Sequence, residues 1–407
     1  MQNDQDLRLD RYDYLLPDNR IAQNPAEPRD HSRLLVISSP TKHHHARFDS
    51  LPQWLKSGDL LVLNDTSVIP ARLYGRKTTG AAVEILLLEA RSPQEWLALV
   101  RPGKRLPVGS VIEFHPSALP SEALKSEALN SEALNLREGA DPAPVSPVSP
   151  VSPTTAPLTA TVMGTDEDTG GRWLKFYLPD GVHLLSVLDQ WGHMPLPPYI
   201  TDSDAPPDRY QTIYARAAGS AAAPTAGLHF TPQLFDALAA AGIDHVKLTL
   251  HVGVGTFRPV ESETITDHVM HHEWTEVPTD VVEKIQETRS RGGRVIAVGT
   301  TAVRALESAG QGTLTLGKPL GPFCGKTNLF IYPGYRWQVV DGLITNFHLP
   351  RSSLMMLVAA LIGRERLLEL YQIALDAPPE PSSVGDRPYR FYSFGDAMLI
   401  LPTAKLP

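Results

Sequence analysis

The chain has 407 residues, 42% of them hydrophobic, enough to bury a large core in two or three domains. Its single cysteine, Cys324, excludes an intramolecular disulfide and a multi-cysteine zinc knuckle, and suits a reducing compartment. The formal net charge of -8 argues weakly against a nucleic-acid partner, because phosphate binding needs local positive potential. The opening MQNDQDLRLDRYDY lacks the apolar stretch of a signal peptide. The longest apolar run, Leu354 to Ile362, is far too short to cross a bilayer. The expectation is a cytoplasmic protein that does not engage a membrane.

Along the chain, His43, His44 and His45 fall in a polar loop before FDSLPQWL, and Asp59 to Asp65 (DLLVLND) read as a strand. From Ala71, short alternating segments (VEILLLEA, WLALVR, SVIEFHP) punctuated by Gly and Pro predict a small antiparallel β-barrel. This stretch is basic: Arg72, Arg76, Lys77, Arg91, Arg101, Lys104 and Arg105 stand against Glu84, Glu89 and Glu95, which leaves +4. An ordinary solvated surface explains that imbalance as well as an RNA contact does. At Ser121 the pattern dissolves into SEALKSEALNSEALN and PVSPVSPVSP, which cannot bury a core and read as an extended insertion without catalytic role. Strand pattern returns at TATVMG and at Trp173 to Pro179 (WLKFYLP), and HLLSVLDQWG reads as a helix leading back to the main domain.

From Thr231 helices alternate with buried strands. TPQLFDALAAAG carries an N-cap Thr231, Pro232 at its first helical position and Gly242 at its stop. DHVKLTLHVG follows as a strand, VPTDVVEKIQETRSRGG as a helix turning Val281, Val282 and Ile285 inward, and VIAVGTT as the next strand. The predicted fold is α/β: a mainly parallel sheet flanked by helices, with an inserted small antiparallel β-barrel domain. The boundaries expected are 1–68 and 181–407 for the discontinuous α/β domain and 69–180 for the barrel, with a low-complexity insertion at 117–157.

Four strand-forming runs stop abruptly at clusters of Gly, Thr, His or Asn: APTAGLHF, TLHVGVGTF, VIAVGTTAVRALES and LITNFHLPRSSLMMLV. Ligands of open α/β sheets bind outside the carboxyl ends of strands, so four such edges predict one composite pocket. His229, His251 and His348 each stand at an edge and are candidate acids or bases, the alternative being a structural hydrogen bond. Thr300 or Thr301 could serve only as a helix cap, which would explain one threonine but not the cluster. The Gly299 turn is neither a Walker loop nor a GxGxxG fingerprint, which disfavours nucleoside triphosphates. His268, His271 and His272 suggest hydrogen bonding rather than a metal, and no metal site is expected.

PLPPYI, RYQTIYA, APTAGLHF, LHVGVGTF, DHVMHHE, RVIAVGTTAVRALES, TNLFIYPGY, ITNFHLPRSSLMMLV and FYSFGDAML occur in this order, with YDYLLPDNRIAQNPAEPRDHSRLLV and GDLLVLNDTSVIPARLYGRK before them. Across nearly all of the chain outside the repeats this pattern resembles the S-adenosylmethionine:tRNA ribosyltransferase-isomerases of queuosine synthesis. The resemblance implies a transferase and isomerase of tRNA modification. It would move the ribosyl part of S-adenosyl-L-methionine onto the 7-aminomethyl-7-deazaguanine of the tRNA wobble position and rearrange it to epoxyqueuosine, releasing adenine and methionine. It implies S-adenosylmethionine as co-substrate and no further cofactor, with tRNA as partner; separately, a monomer is expected.

Under that resemblance, the catalytic candidates are His229, His251, His348, Thr300 and Thr301. A positioned base would remove a C5′ proton beside the sulfonium, and a donor would protonate the departing adenine. Thr225, Gly227, Gly253, Gly255, Thr256, Gly299, Arg304 and Asn346 would hold S-adenosylmethionine. Arg304 could meet its carboxylate or only form a surface ion pair. Arg72, Arg76, Lys77, Arg101, Lys104 and Arg105 would hold tRNA phosphates.

The chain departs from the family pattern at the insertion, around DAPPEPSSVGDRP, at AAGS before APTAGLHF, and at Phe394, where a Tyr is usual. A methyltransferase would share the ligand but show a Gly-rich loop after its first strand. A non-catalytic RNA-binding protein would leave the four edges without a purpose.

Overall fold

The computed structural model describes residues 4–115, 157–167, 169–253, 260, 262–311, 317, 319–377 and 388–406. The chain divides into two compact units, one of residues 1–67, 199–217 and 223–407, the other of residues 68–198 and 218–222.

The larger unit is built on a nine-stranded sheet in the order Phe323–Thr327, Glu273–Val277, Asp244–Leu250, Leu60–Asn64, Val295–Val298, Gly342–Asn346, Ala397–Ile400, Arg33–Ile37, His43–Arg47. Leu60–Asn64, Val295–Val298, Gly342–Asn346, Ala397–Ile400 and Arg33–Ile37 are buried at every position, as strands covered on both faces must be. Helix Pro232–Ala240, whose N-cap Thr231 hydroxyl accepts the Leu234 N–H at 3.1 Å, packs on the sheet through Leu234 and Leu238, while Ser353–Ile362, capped by Ser352, packs against helix Arg364–Asp376.

The sheet is mixed, and the expectation of a mainly parallel one is corrected. Four neighbouring pairs run parallel and four antiparallel. Parallel pairing joins the four strands from Asp244–Leu250 to Gly342–Asn346. Strand Ala397–Ile400 then runs against Gly342–Asn346 and parallel to Arg33–Ile37. This reversal brings the N-terminal ends of the last two to the edge where the parallel strands finish.

The smaller unit is a closed antiparallel barrel of six strands: Arg72–Lys77, Ala82–Ala90, Glu95–Arg101, Val111–Phe114, Leu158–Thr165 and Arg172–Tyr177. Pairing of Gly75, Arg76 and Lys77 with Phe114, Glu113 and Ile112 closes it. Ile85, Leu87, Ile112, Phe114, Val162, Leu174 and Phe176 fill the interior. Leu184, Val187, Leu188 and Trp191 pack into the same core. The segment expected to lead back to the α/β domain from 181 therefore belongs with the barrel, because its apolar side chains are buried there.

Candidate active site

The parallel strands end at Asn64, Leu250, Val298 and Asn346, and the reversed strands start beside them at Arg33 and Ala397. His229 closes the short helix Thr225–His229 at this edge and is buried. Its Nδ1 lies 2.8 Å from the Ser32 hydroxyl, its Nε2 lies 3.3 Å from the Asn346 amide nitrogen, and its ring stacks on Phe48 at 4.8 Å. The Thr225 hydroxyl donates to Asn346 Oδ1 at 2.8 Å, so Thr225, His229 and Asn346, predicted from two separate edges, form one hydrogen-bonded group. Asn346 Nδ2 also donates to the Tyr392 carbonyl at 3.2 Å. Tyr392 adopts φ 70, a left-handed conformation rare for an aromatic residue and a form of strain that clusters at functional sites. Burial lowers the His229 pKa to about 4, with Arg390 pushing the same way and Asp396 and a hydrogen bond to the Arg29 backbone opposing.

His251 forms a second group. Its Nδ1 is 2.8 Å from the Thr66 hydroxyl and its ring stacks on Trp274 at 5.1 Å. Behind it, buried Asp65 accepts from the Thr249 hydroxyl at 2.7 Å and pairs with Arg216 at 2.9 Å. Burial lowers His251 to about 4, against the pull of Asp65. Both imidazoles are therefore neutral near pH 7. At rest they are proton acceptors, where the sequence alone allowed either an acid or a base.

Helix Thr300–Ala309 opens at the third edge, with Gly299 as its N-cap at φ 90, a conformation that favours glycine. Thr300 is buried, and the Thr301 hydroxyl is buried with no hydrogen-bond partner among the described residues. Arg304 is not at the surface. Its guanidinium is buried in an ion pair with Glu273, and its Nε donates to the Leu329 carbonyl at 3.1 Å. Glu273 also accepts the Gly253 N–H at 3.1 Å. The surface-pair alternative for Arg304 is thus corrected, since the buried carboxylate of Glu273 holds it.

His348 and Gly227 are enclosed by the packing of the α/β unit. Alternation along Gly342–Asn346 puts Ile344 and Asn346 on one face and Thr345 on the other. His348 bonds to the Thr345 hydroxyl at 2.7 Å and its backbone N–H donates to Tyr371 Oη, so it lies with that second face rather than with His229. Burial lowers it to about 3. Gly227 faces Tyr214: a Cβ there would come within 2.0 Å of the phenol oxygen, so packing alone requires the glycine. Gly255 and Thr256 lie outside the described residues. Phe394 is buried edge-on against Tyr210, a packing role that needs no hydroxyl.

Sequence reasoning missed Ser32, Asp65, Thr66 and Trp274. Ser32 and Thr66 share the signal of a polar residue flanking an apolar strand, which is too common to single them out.

In the barrel, Arg72 pairs with Glu84 at 2.6 Å. Arg76 and Arg105 are exposed, Arg76 donating to the Gly80 carbonyl, and Lys77 donates to the Arg105 carbonyl at 2.7 Å. Arg101 faces Glu84 in the strand register, and the Lys104 side chain is not described. Among the described residues, no group of three or more His, Cys, Asp or Glu could hold a metal ion, and no helix is long and apolar enough to cross a membrane.

A mixed α/β sheet with polar side chains gathered at one strand edge, accompanied by a small β-barrel, defines the class. A family model described as queuosine biosynthesis protein matches residues 9–400, and the chain belongs to that family. It is 56% identical over 405 residues to the S-adenosylmethionine:tRNA ribosyltransferase-isomerase of Trichormus variabilis, covering 98% of this chain and 93% of the relative. It is 52% identical over 407 residues to the protein of the same name from Thermosynechococcus vestitus, with 99% of each covered. The crystal structure of S-adenosylmethionine tRNA ribosyltransferase from Thermotoga maritima is 35% identical, with a TM-score of 0.48, over 96% of this chain and 100% of that one.

Proposed function

We propose that the protein transfers the ribosyl moiety of S-adenosylmethionine to the 7-aminomethyl-7-deazaguanine at the tRNA wobble position and isomerises it. The products are epoxyqueuosine-tRNA, adenine and methionine. The observation that carries this reading is identity of 52% and 56%, over nearly the whole of each chain, to relatives bearing the name of that activity.

The strand-edge geometry suits the chemistry. His229, neutral and buried at this edge, would accept a C5′ proton acidified by the adjacent sulfonium once substrate displaces one of its two hydrogen-bond partners, Ser32 and Asn346. A histidine that has taken a proton in so desolvated a site is a strong acid, suited to returning it to a ring nitrogen of the departing adenine. His251, over Trp274, is the second acceptor. The Thr301 hydroxyl and the N–H groups opening helix Thr300–Ala309 supply donors for oxygen charge that develops as the ribose opens. Thr225, Gly299 and Asn346 line the co-substrate site, whereas Arg304 contributes mainly by holding Glu273 and Gly253 in place. The exposed basic residues of the barrel hold tRNA phosphates. The enzyme acts as a cytoplasmic monomer, with S-adenosylmethionine as co-substrate and no metal.

The test is incubation with S-adenosylmethionine and tRNA bearing the aminomethyl-deazaguanine, followed by nucleoside analysis. Epoxyqueuosine is expected at the wobble position. Unmodified precursor after prolonged incubation with folded enzyme would overturn the reading.

A further inference from the structure

We propose that His251 is the catalytic residue that meets the primary amine of the nucleic-acid substrate, its Nε2 taking the proton that the aminomethyl group must lose to bond to the ribosyl carbon. The inference rests on the proposed ribosyl transfer and gives the second acceptor a proton of its own.

The two edge histidines differ in what they leave open. His229 is buried, with both ring nitrogens engaged by Ser32 and Asn346. His251 is partly exposed, and among the described residues its ring has one hydrogen-bond partner, the Thr66 hydroxyl 2.8 Å from Nδ1. Its Nε2 is neither hydrogen-bonded to the described residues nor sealed from solvent. A group carried on a macromolecule reaches atoms of that kind, whereas a small co-substrate can enter the enclosed edge at His229.

The ring can act without rearrangement. Trp274 stacks on it with planes 21° apart, and the His251 N–H donates to the Trp274 carbonyl at 2.9 Å. The Thr66 hydroxyl can donate or accept, so it holds the ring in either tautomer, and an N–H of the arriving amine selects the form with a lone pair on Nε2. Once Nε2 is protonated, Nδ1–H still has the Thr66 oxygen to donate to.

The buried Asp65 carboxylate favours positive charge at the ring. Its ion-pair partner Arg216 opposes this weakly, because its side chain is 76% exposed and screened by water. Of the other charged groups nearby, Glu273 is matched by Arg304, and Lys326 lies opposite Trp274 in the strand register. An alkylammonium is charged near neutral pH and has no lone pair with which to attack. Transfer of one proton to Nε2 leaves its bonding electrons on nitrogen, and that pair forms the new C–N bond.

The pH dependence of epoxyqueuosine formation tests this, read as kcat/KM for tRNA carrying the aminomethyl base. Wild type should be flat from about pH 6 to 9, because the enzyme takes the ammonium form and removes its proton on site. His251→Gln keeps a polar side chain that cannot take a proton. It should be lowered ~100-fold at pH 7, with the deficit narrowing about tenfold per pH unit and nearly closed at pH 9 as free amine replaces the missing base. Its affinity for S-adenosylmethionine should be unchanged. A deficit of the same size at every pH would overturn the assignment, as would wild-type activity in the variant. A tenfold rise per pH unit in wild type would overturn it without any variant. Absence of epoxyqueuosine from wild type at every pH is a different failure, that of the ribosyl-transfer reading itself.

Discussion

The Arg304 guanidinium is buried against the Glu273 carboxylate, and that carboxylate also accepts the Gly253 N–H at 3.1 Å. One ion pair thus ties helix Thr300–Ala309 to strand Glu273–Val277 and to the end of strand Asp244–Leu250. Removing one partner strands a buried charge. Glu273→Ala should lower the unfolding free energy by ~3–5 kcal/mol, while Glu273→Leu combined with Arg304→Met should recover most of it. Urea unfolding measures both. A loss under about 1 kcal/mol in the single variant would mean that water reaches the guanidinium.

Three buried histidines make stability depend on pH in a defined window. His229 and His251 are lowered to about 4 and His348 to about 3, against an ordinary value of 6.5. Between pH 6.5 and about 4 the unfolded chain binds protons that the native protein does not. Stability should therefore fall as pH falls through this range, by up to ~1.4 kcal/mol per pH unit for each histidine. His348→Asn should reduce the slope by about a third if each histidine contributes equally. Denaturant titrations at intervals of half a pH unit test this, and a flat profile from pH 6.5 to 4.5 would contradict it.

The register of the barrel predicts that the repeats can be removed. Phe114 pairs with Leu158 and Val111 with Thr161, so the chain leaves and re-enters the barrel at directly opposed positions, about 5 Å apart. Replacing residues 116–156 by a short Asn-Gly turn should leave a soluble barrel and turnover within about tenfold of wild type. Insoluble protein, or a larger drop in turnover, would assign the segment a role.

The barrel cations should separate by their partners. Arg72 is committed to Glu84, whereas Arg105 is exposed. Neutralising Arg101, Lys104 and Arg105 together should flatten the plot of log tRNA affinity against log salt by up to ~3, roughly one for each lost phosphate contact. S-adenosylmethionine affinity should hardly change. Arg72→Gln should leave the salt slope alone and cost stability instead. An unchanged slope in the triple variant would move the RNA contact to the α/β unit.

The barrel was legible because its strands alternate. Ile85 and Leu87 point in while their neighbours are partly exposed, and that period of two is visible in VEILLLEA. The strand edges were legible for a similar reason: small and polar residues interrupt apolar runs, and two of those edges meet at Thr225, His229 and Asn346. Strand direction was not. AMLI at Ala397–Ile400 is buried throughout and reads the same whether it runs with or against its neighbours. Its reversal is what delivers Ser32 to the site. The face of each edge residue was hidden for the same cause, since LITN is buried on both sides and only the fold shows that Asn346 and Thr345 diverge. The ion pair of Arg304 joins residues 31 positions apart, a separation that carries no local signal.

The most direct measurement of the central claim is the fate of S-adenosylmethionine in a single reaction with tRNA carrying the aminomethyl-deazaguanine. Chromatography of the small molecules, with the modified nucleoside counted in parallel, fixes which bonds are broken. Ribosyl transfer predicts adenine and methionine in equal amounts, each matching the epoxyqueuosine formed. S-adenosylhomocysteine appearing in step with methylated tRNA would contradict the account and make the protein a methyltransferase.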